Sequence, residues 1–427
     1  MTEAFLHYVW QHQMFADRLL TTDGQPVRVY RVGTLNVDAG PDFFNAHVSI
    51  GDVEWVGNVE IHIHSSDWTA HGHQHDAAYN NVVLHVVYEH NAEVRLQNGK
   101  VPPTLELRSY LHPALVANYE HLTAPATGSV PVCHADLRNM PDFVKTTFLQ
   151  RLAVERVEGK TMVVRRLLDE SCGSWEKTCY WLMARYFGGK VNGLAFELLA
   201  KATDQRFLAR WRDNRQRLEA LLMGQAGMLE GYFDDDYPRE LQADYQAIRS
   251  GFADLRPLDA SLWRFFKLRP SSFPTFRISQ FADFVAQSHN LFSALLDMSD
   301  VREMERLFDR EASPYWDNHY RFDRESEKSK RKCVGKQLSD SLIINAWVPL
   351  LFVYGVEHGQ SHYKEQAFAL LEQLPAEDNA VVRTWQQAGI VPKNAAESQS
   401  LIQLSSVYCS NRRCLECRFG YQLLKHQ

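Results

Sequence analysis

Between Gly40 and Tyr88 the chain gathers Asp42, Glu60, His62, His64, Asp67, His71, His73, His75, Asp76 and His85, its densest run of carboxylates and imidazoles. Carboxylate oxygens suit Mg²⁺ or Mn²⁺, and imidazole mixed with carboxylate suits Zn²⁺, Mn²⁺ or Fe²⁺. An ion held this way polarises a phosphate and lowers the pKa of an attacking water, so these residue types point to metal-assisted hydrolysis. Asp42 follows Pro41 at a turn, and Glu60-Ile61-His62 comes eighteen residues later. Side chains alternate along a strand, so Glu60 and His62 share a face, and a carboxylate on the neighbouring strand can meet the same ion. Asp42, Glu60 and His62 are thus the candidate catalytic residues, with Asp42, Glu60, His64, Asp67, His71 and His73 as candidate ligands. The competing reading makes the carboxylates structural groups beside turns and each lone histidine a surface or hydrogen-bonded core residue, as expected for His85 inside its apolar run. H-E-x-x-H is absent, which argues against an ordinary zinc protease. The His62-x-His64 pair lacks the glutamate that would follow it in a cupin.

A second constellation is Cys409-x4-Cys414-x2-Cys417. Three thiols in nine residues suit Zn²⁺ or an iron-sulfur cluster with a fourth ligand from elsewhere. Cys333 is the leading candidate for that fourth position, ahead of Cys133 and His134. Such a site would staple the chain end onto the helical region. Cys172 and Cys179 read as structural.

The elements that must position the first constellation follow from periodicity. Phe5, Leu6, Val9 and Trp10 fall at helical spacing after Thr2. Strands are predicted over 27–32, 43–50 and 53–63, the last interrupted by a bulge at Gly57-Asn58. Residues 65–79 read as a loop ending in a short helix, 82–88 as a buried strand and 94–107 as a further hairpin. The small polar stretch 123–129 marks a domain boundary, after which ten helices are predicted, among them 142–169, 204–222, 280–296 and 339–354. The expectation is an α+β protein: a mixed, nuclease-like α/β sheet domain over 1–122, then a mostly helical domain over 130–427 carrying the cysteine cluster.

Pro41-Asp42 and Glu60-Ile61-His62, with a helix and a further strand after them, resemble the PD-(D/E)XK nuclease pattern, in which an Asp at the end of one strand and an E-x-K on the next build the site. The resemblance implies a Mg²⁺- or Mn²⁺-dependent phosphodiesterase acting on nucleic acid, with His62 standing where that family has lysine. Over nearly its whole length, and especially in AGPDFFNAHV, GNVEIHIHSSDW, HDAAYNNVVLHVV, RPSSFPTFRISQFA and YCSNRRCLEC, the chain also resembles a bacterial family known only as a domain of unknown function. Two alternatives stand beside the nuclease reading. One is an inactive nucleic-acid-binding or scaffold protein on a degenerate nuclease fold; the other is a zinc or iron enzyme built on the histidine cluster.

Composition narrows the class without choosing among these. A chain of 427 residues can hold two or three domains. With 45% hydrophobic and 23% charged residues it is expected to be globular. A net charge of −6 leaves nucleic-acid binding to a local groove. The basic, aromatic run Trp263–Pro270 reads as core with its charges outward, and 325–336 as a solvated loop. No secretory leader is legible at the N-terminus, and the apolar run 342–356 is too short to span a bilayer, so a cytoplasmic protein without a membrane partner is expected.

Overall fold

The computed structural model describes residues 1–124, 131–252 and 254–425 and shows an α+β chain in two compact units. The first comprises residues 1–148, 383–390 and 404–427, and the second 149–382 and 391–403. Of the expected boundary stretch 123–129, residues 125–129 lie outside the described residues.

In the first unit, helix α1 (Glu3–Gln11) starts at Thr2, whose hydroxyl accepts from the Phe5 N–H at 3.3 Å. A cap of this kind contributes about 1 kcal/mol. The buried stripe of Phe5, Leu6, Val9 and Trp10 faces a seven-stranded sheet. Its strands are β1 (Leu19–Leu20), β2 (Pro26–Arg31), β3 (Thr34–Leu35), β4 (Phe43–Ile50), β5 (Val53–His64), β6 (Val82–Glu89) and β7 (Thr104–Glu106). They lie in the order β1-β2-β4-β5-β6-β7, with β3 beside the start of β4. Pairing is antiparallel as far as β5, whereas β6 runs parallel to β5 and β7 parallel to β6.

The predicted hairpin over 94–107 is corrected. Leu96 to Lys100 is a tight turn, and only Thr104–Glu106 joins the sheet, parallel to β6. Pro102 and Pro103 have no N–H to give a ladder, so the strand starts after them. Gly57 lies in β5 where a Cβ would come within 2.3 Å of Val83 Cγ1, so a side chain there would push β6 away. The pairing of β5 with β6 shifts register between Asn58 and Val59, beside the predicted bulge.

From Gly57 to His62 strand β5 is buried on both faces, and its alternation sorts two environments. Val59 and Ile61 join Leu84 and Val86 of β6 in the core shared with α1 and with α3 (Pro113–Thr123). Burying each such side chain contributes roughly 1.5–3 kcal/mol. Glu60 and His62 point to the other face, under the segment Ser65–Asn81. That segment carries helix α2 (Asp67–Ala70) and 3₁₀ turns over His73–His75 and Ala77–Asn81. A small separate core of Trp68, Tyr79, Val82, Val94 and Leu96 holds it down, and Trp68 Nε1 donates to the Arg95 carbonyl at 3.1 Å.

The second unit is helical around one large apolar core. The helix predicted over 204–222 is two, Gln205–Trp211 and Arg215–Gln225, because Asn214 caps the second by accepting from the Arg217 N–H. The helix predicted over 280–296 likewise breaks at Asn290, whose φ is 45°. The run Lys336–Glu357 is long and apolar enough to cross a membrane, yet 72% of its most apolar window is buried within the protein. The last helix, Arg418–Lys425, packs in the sheet unit: Leu424 enters that core and the Leu423 carbonyl accepts from Asn118 Nδ2 at 3.1 Å.

Candidate metal centre

Strand β5 delivers Glu60 and His62 to one buried spot, with side chains 6% and 1% exposed. The turn after α2 brings His71 and His73 over them, because Gly72 takes a φ of 79° that a side chain would resist. His73 stacks on Tyr79 at 3.9 Å, which fixes its ring. The ligand atoms of His62, His71 and His73 all lie within 4.8 Å of one another.

Glu60 lies beside this trio, and the pairwise spacings are short. Glu60 Oε1 is 3.2 Å from His73 Nε2 and 3.5 Å from His62 Nε2, and His62 Nε2 is 3.2 Å from His71 Nδ1. Two nitrogen ligands about 2.0–2.1 Å from a tetrahedral Zn²⁺ are themselves about 3.4 Å apart. His73 Nε2 is buried and pairs with Glu60 Oε1 at 3.2 Å. A cation set between Glu60 Oε1 and these ring nitrogens would be held by both ligand types.

Neighbouring groups hold these ligands in place. The Asp42 N–H donates to Glu60 Oε2 at 3.1 Å, leaving Oε1 for the centre, and Asp42 Oδ2 accepts from the Ile61 N–H at 2.9 Å. These reciprocal bonds set the two carboxylates side by side. His7 of α1 comes within 3.1 Å of Asp42 Oδ2. His62 Nδ1 is 2.9 Å from Nε2 of the buried His85, so the second ring orients the first.

Burial dominates the electrostatics of the centre. Burial raises Glu60, Asp42 raises it further, and His73 opposes both without cancelling them. Burial, with the charges of His73 and His71, drives His62 down to about 4, so it is a neutral imidazole near pH 7. Burial, then His62, holds His85 well below the usual range. His7 goes the other way, because hydrogen bonding and charge from Asp42 outweigh its burial.

Residues 3–380 match the model of a family described as protein of unknown function, DUF2851. The chain belongs to that family. Comparison with curated proteins and with solved structures gives no match.

In this DUF2851 protein the predicted ligands His64 and Asp67 are engaged with each other at the end of β5. Asp67 Oδ2 accepts from the His64 N–H at 2.8 Å, closing the turn after β5, and the His64 ring is half exposed. Asp76 caps the following turn by accepting from the Ala78 N–H. Cys333 sits in the helical unit, pairing through its backbone with Glu311, while Cys409, Cys414 and Cys417 lie in the sheet unit. The His7 contact was not legible beforehand, since nothing in the α1 sequence distinguishes a histidine aimed at Asp42 from a solvated one. The buried role expected of His85 is the one it has.

Proposed function

We propose that the DUF2851 protein is a metal-dependent hydrolase, centred on Glu60, His62, His71 and His73, that cleaves phosphodiester bonds in nucleic acid. The observation that carries this is Glu60 Oε1 lying 3.2 and 3.5 Å from two imidazole nitrogens at a buried spot, with His71 Nδ1 3.2 Å from one of them. Three imidazoles and one carboxylate suit Zn²⁺, Mn²⁺ or Fe²⁺ better than Mg²⁺, which prefers oxygen. A bound ion would polarise the phosphate and lower the pKa of a water. The protein's own groups do the rest. Asp42 fixes Glu60, His85 fixes His62, and the exposed His71 faces solvent, where a substrate can approach. At 1% exposure His62 serves as a ligand rather than as the base or phosphate contact that its place in the motif suggests.

The nuclease side of the reading is supported by the order α1, β2, β4, β5, α2, β6, with Asp42 entering β4 and Glu60-Ile61-His62 inside β5. A second reading, a zinc or iron enzyme acting on something other than nucleic acid, is favoured by the charged neighbours of Glu60 and His62. The groups whose charges act most on them are His71, His73, Asp42 and Asp67, among which there is no lysine or arginine. The test is elemental analysis of purified protein, followed by assays with each divalent metal on single- and double-stranded DNA and RNA and on a small phosphodiester. Cleavage of nucleic acid that Glu60→Ala abolishes supports the first reading; cleavage of the small ester alone supports the second. Protein that binds metal at neither Glu60 nor the histidines, and is inert with all of them, returns the scaffold interpretation.

A further inference from the structure

The thiols left unassigned by the histidine centre form a group of their own. Cys409 ends a π-helical turn, Leu404–Cys409, and the chain then doubles back: the Arg412 N–H bonds the Cys409 carbonyl at 3.1 Å and the Arg413 N–H the Tyr408 carbonyl at 2.9 Å. The Cys417 N–H bonds the Cys414 carbonyl at 3.3 Å, so these two cysteines sit at the ends of one tight turn. Gly420 clamps that turn, since a Cβ there would lie 2.0 Å from the Cys414 carbonyl oxygen. Cys414 Sγ lies 3.7 Å from the Leu122 carbonyl near the end of α3, and Cys133 packs on the same core as Cys414. The charge of a thiolate at Cys409, Cys417 or Cys414 reaches Cys133, and Cys417 and Cys414 act on Cys409 in the same way. None of the four is in a disulfide, and all lie in one unit; Cys417 is buried and the other three are half-buried.

We infer that Cys133, Cys409, Cys414 and Cys417 form a tetrathiolate metal site, with Cys133 rather than Cys333 as the fourth ligand. Thiol-only donors select zinc or an iron-sulfur cluster over the harder ions that suit carboxylates. Binding Zn²⁺ would deprotonate all four thiols, releasing four protons and leaving a complex of net charge −2. Arg412, whose charge already acts on Cys414, stands beside it to offset that charge. Burial pushes Cys409 up to about 12 and Cys133 higher still, as for thiols set among apolar groups. The centre would tie the segment after residue 404 to the end of α3, fastening the chain terminus to the sheet unit. This inference does not rest on the proposed hydrolase activity.

The test uses the full chain purified without chelator and under anaerobic conditions, with zinc, iron and acid-labile sulfide measured per chain. About one zinc and no sulfide would identify a zinc site; iron with stoichiometric sulfide and visible absorbance would identify a cluster. Either must be lost in Cys133→Ser and Cys417→Ser and kept in Cys333→Ser and Cys172→Ser. In case the first two variants do not fold, mercurial titration of the wild-type protein should release the metal in step with four of its seven thiols. Cobalt replacing the metal should also show a thiolate-to-metal charge-transfer band. Metal content unchanged in Cys133→Ser, or all the thiols reacting in the native protein with no metal released, would overturn the assignment.

Discussion

Glu60, on a strand of the sheet unit, and Glu197, on the helix Gly189–Ala202 of the helical unit, are both almost fully buried, and their surroundings push them in opposite directions. Glu197 accepts from Arg166 at 3.0 and 3.1 Å, from Arg185 at 2.6 Å and from Lys201 at 2.6 Å. Burial would raise it, but these three permanent cations bring it down to about 2. Glu60 meets imidazoles instead, and its burial, with the charge of Asp42, moves it up against the opposing pull of His73. A buried carboxylate ringed by arginine and lysine is complete as it stands and holds helices together. One that meets imidazoles, which unlike arginine and lysine are also metal ligands, can take a cation between them, and that distinguishes a candidate centre from a structural ion pair.

This contrast can be broken by substitution. The largest effect is expected for Glu60→Ala: metal-supplemented cleavage should fall at least about a thousandfold, equivalent to about 4 kcal/mol of transition-state stabilisation, with far-ultraviolet circular dichroism unchanged. Next, metal at a hundred times its dissociation constant should stabilise the wild-type protein to denaturant by about 2.7 kcal/mol, an increment that His73→Ala removes and Glu197→Gln keeps. Glu197→Ala should itself cost about 2 kcal/mol by chemical denaturation. That is below the cost of breaking a fully buried pair because Arg166, Arg185 and Lys201 are 23–43% exposed and partly rehydrate.

The pH dependence sharpens the same contrast. The folded value of Glu197, about 2, lies below its ordinary 4.5, so its stabilisation is present above about 4.5 and is lost as pH falls toward 2. The stability gap between wild type and Glu197→Gln should therefore close over that interval when unfolding is followed from pH 7 to 2. The smallest effect is expected for His64→Ala. Its half-exposed ring should cost under about 0.5 kcal/mol and leave metal content unchanged, although sequence spacing places it beside His62.

Alternation and turn chemistry made the scaffold of the centre readable in advance. Strand β4 starts and ends where its apolar pattern does, and Glu60 and His62 share a face as a two-residue period requires. What alternation could not say is which histidines of the polar stretch 71–75 fold back over that face. This is decided by the αL turn at Gly72, the stacking of His73 on Tyr79 and the anchoring of Trp68 under residues 90–96, none of which has a period. The same limit applies in the helical unit, where a continuous apolar repeat hid the breaks at Asn214 and Asn290, made by a side-chain cap and by a left-handed residue.

The most direct measurement is a titration of metal-free protein with Mn²⁺, an ion that carboxylate and imidazole hold better than thiolates do, followed by electron paramagnetic resonance. The account predicts about one bound Mn²⁺ per chain, lost in Glu60→Gln and in His73→Ala and retained in Cys417→Ser. Mn²⁺ that stays free, or that binds equally well to both of those first two variants, would contradict it.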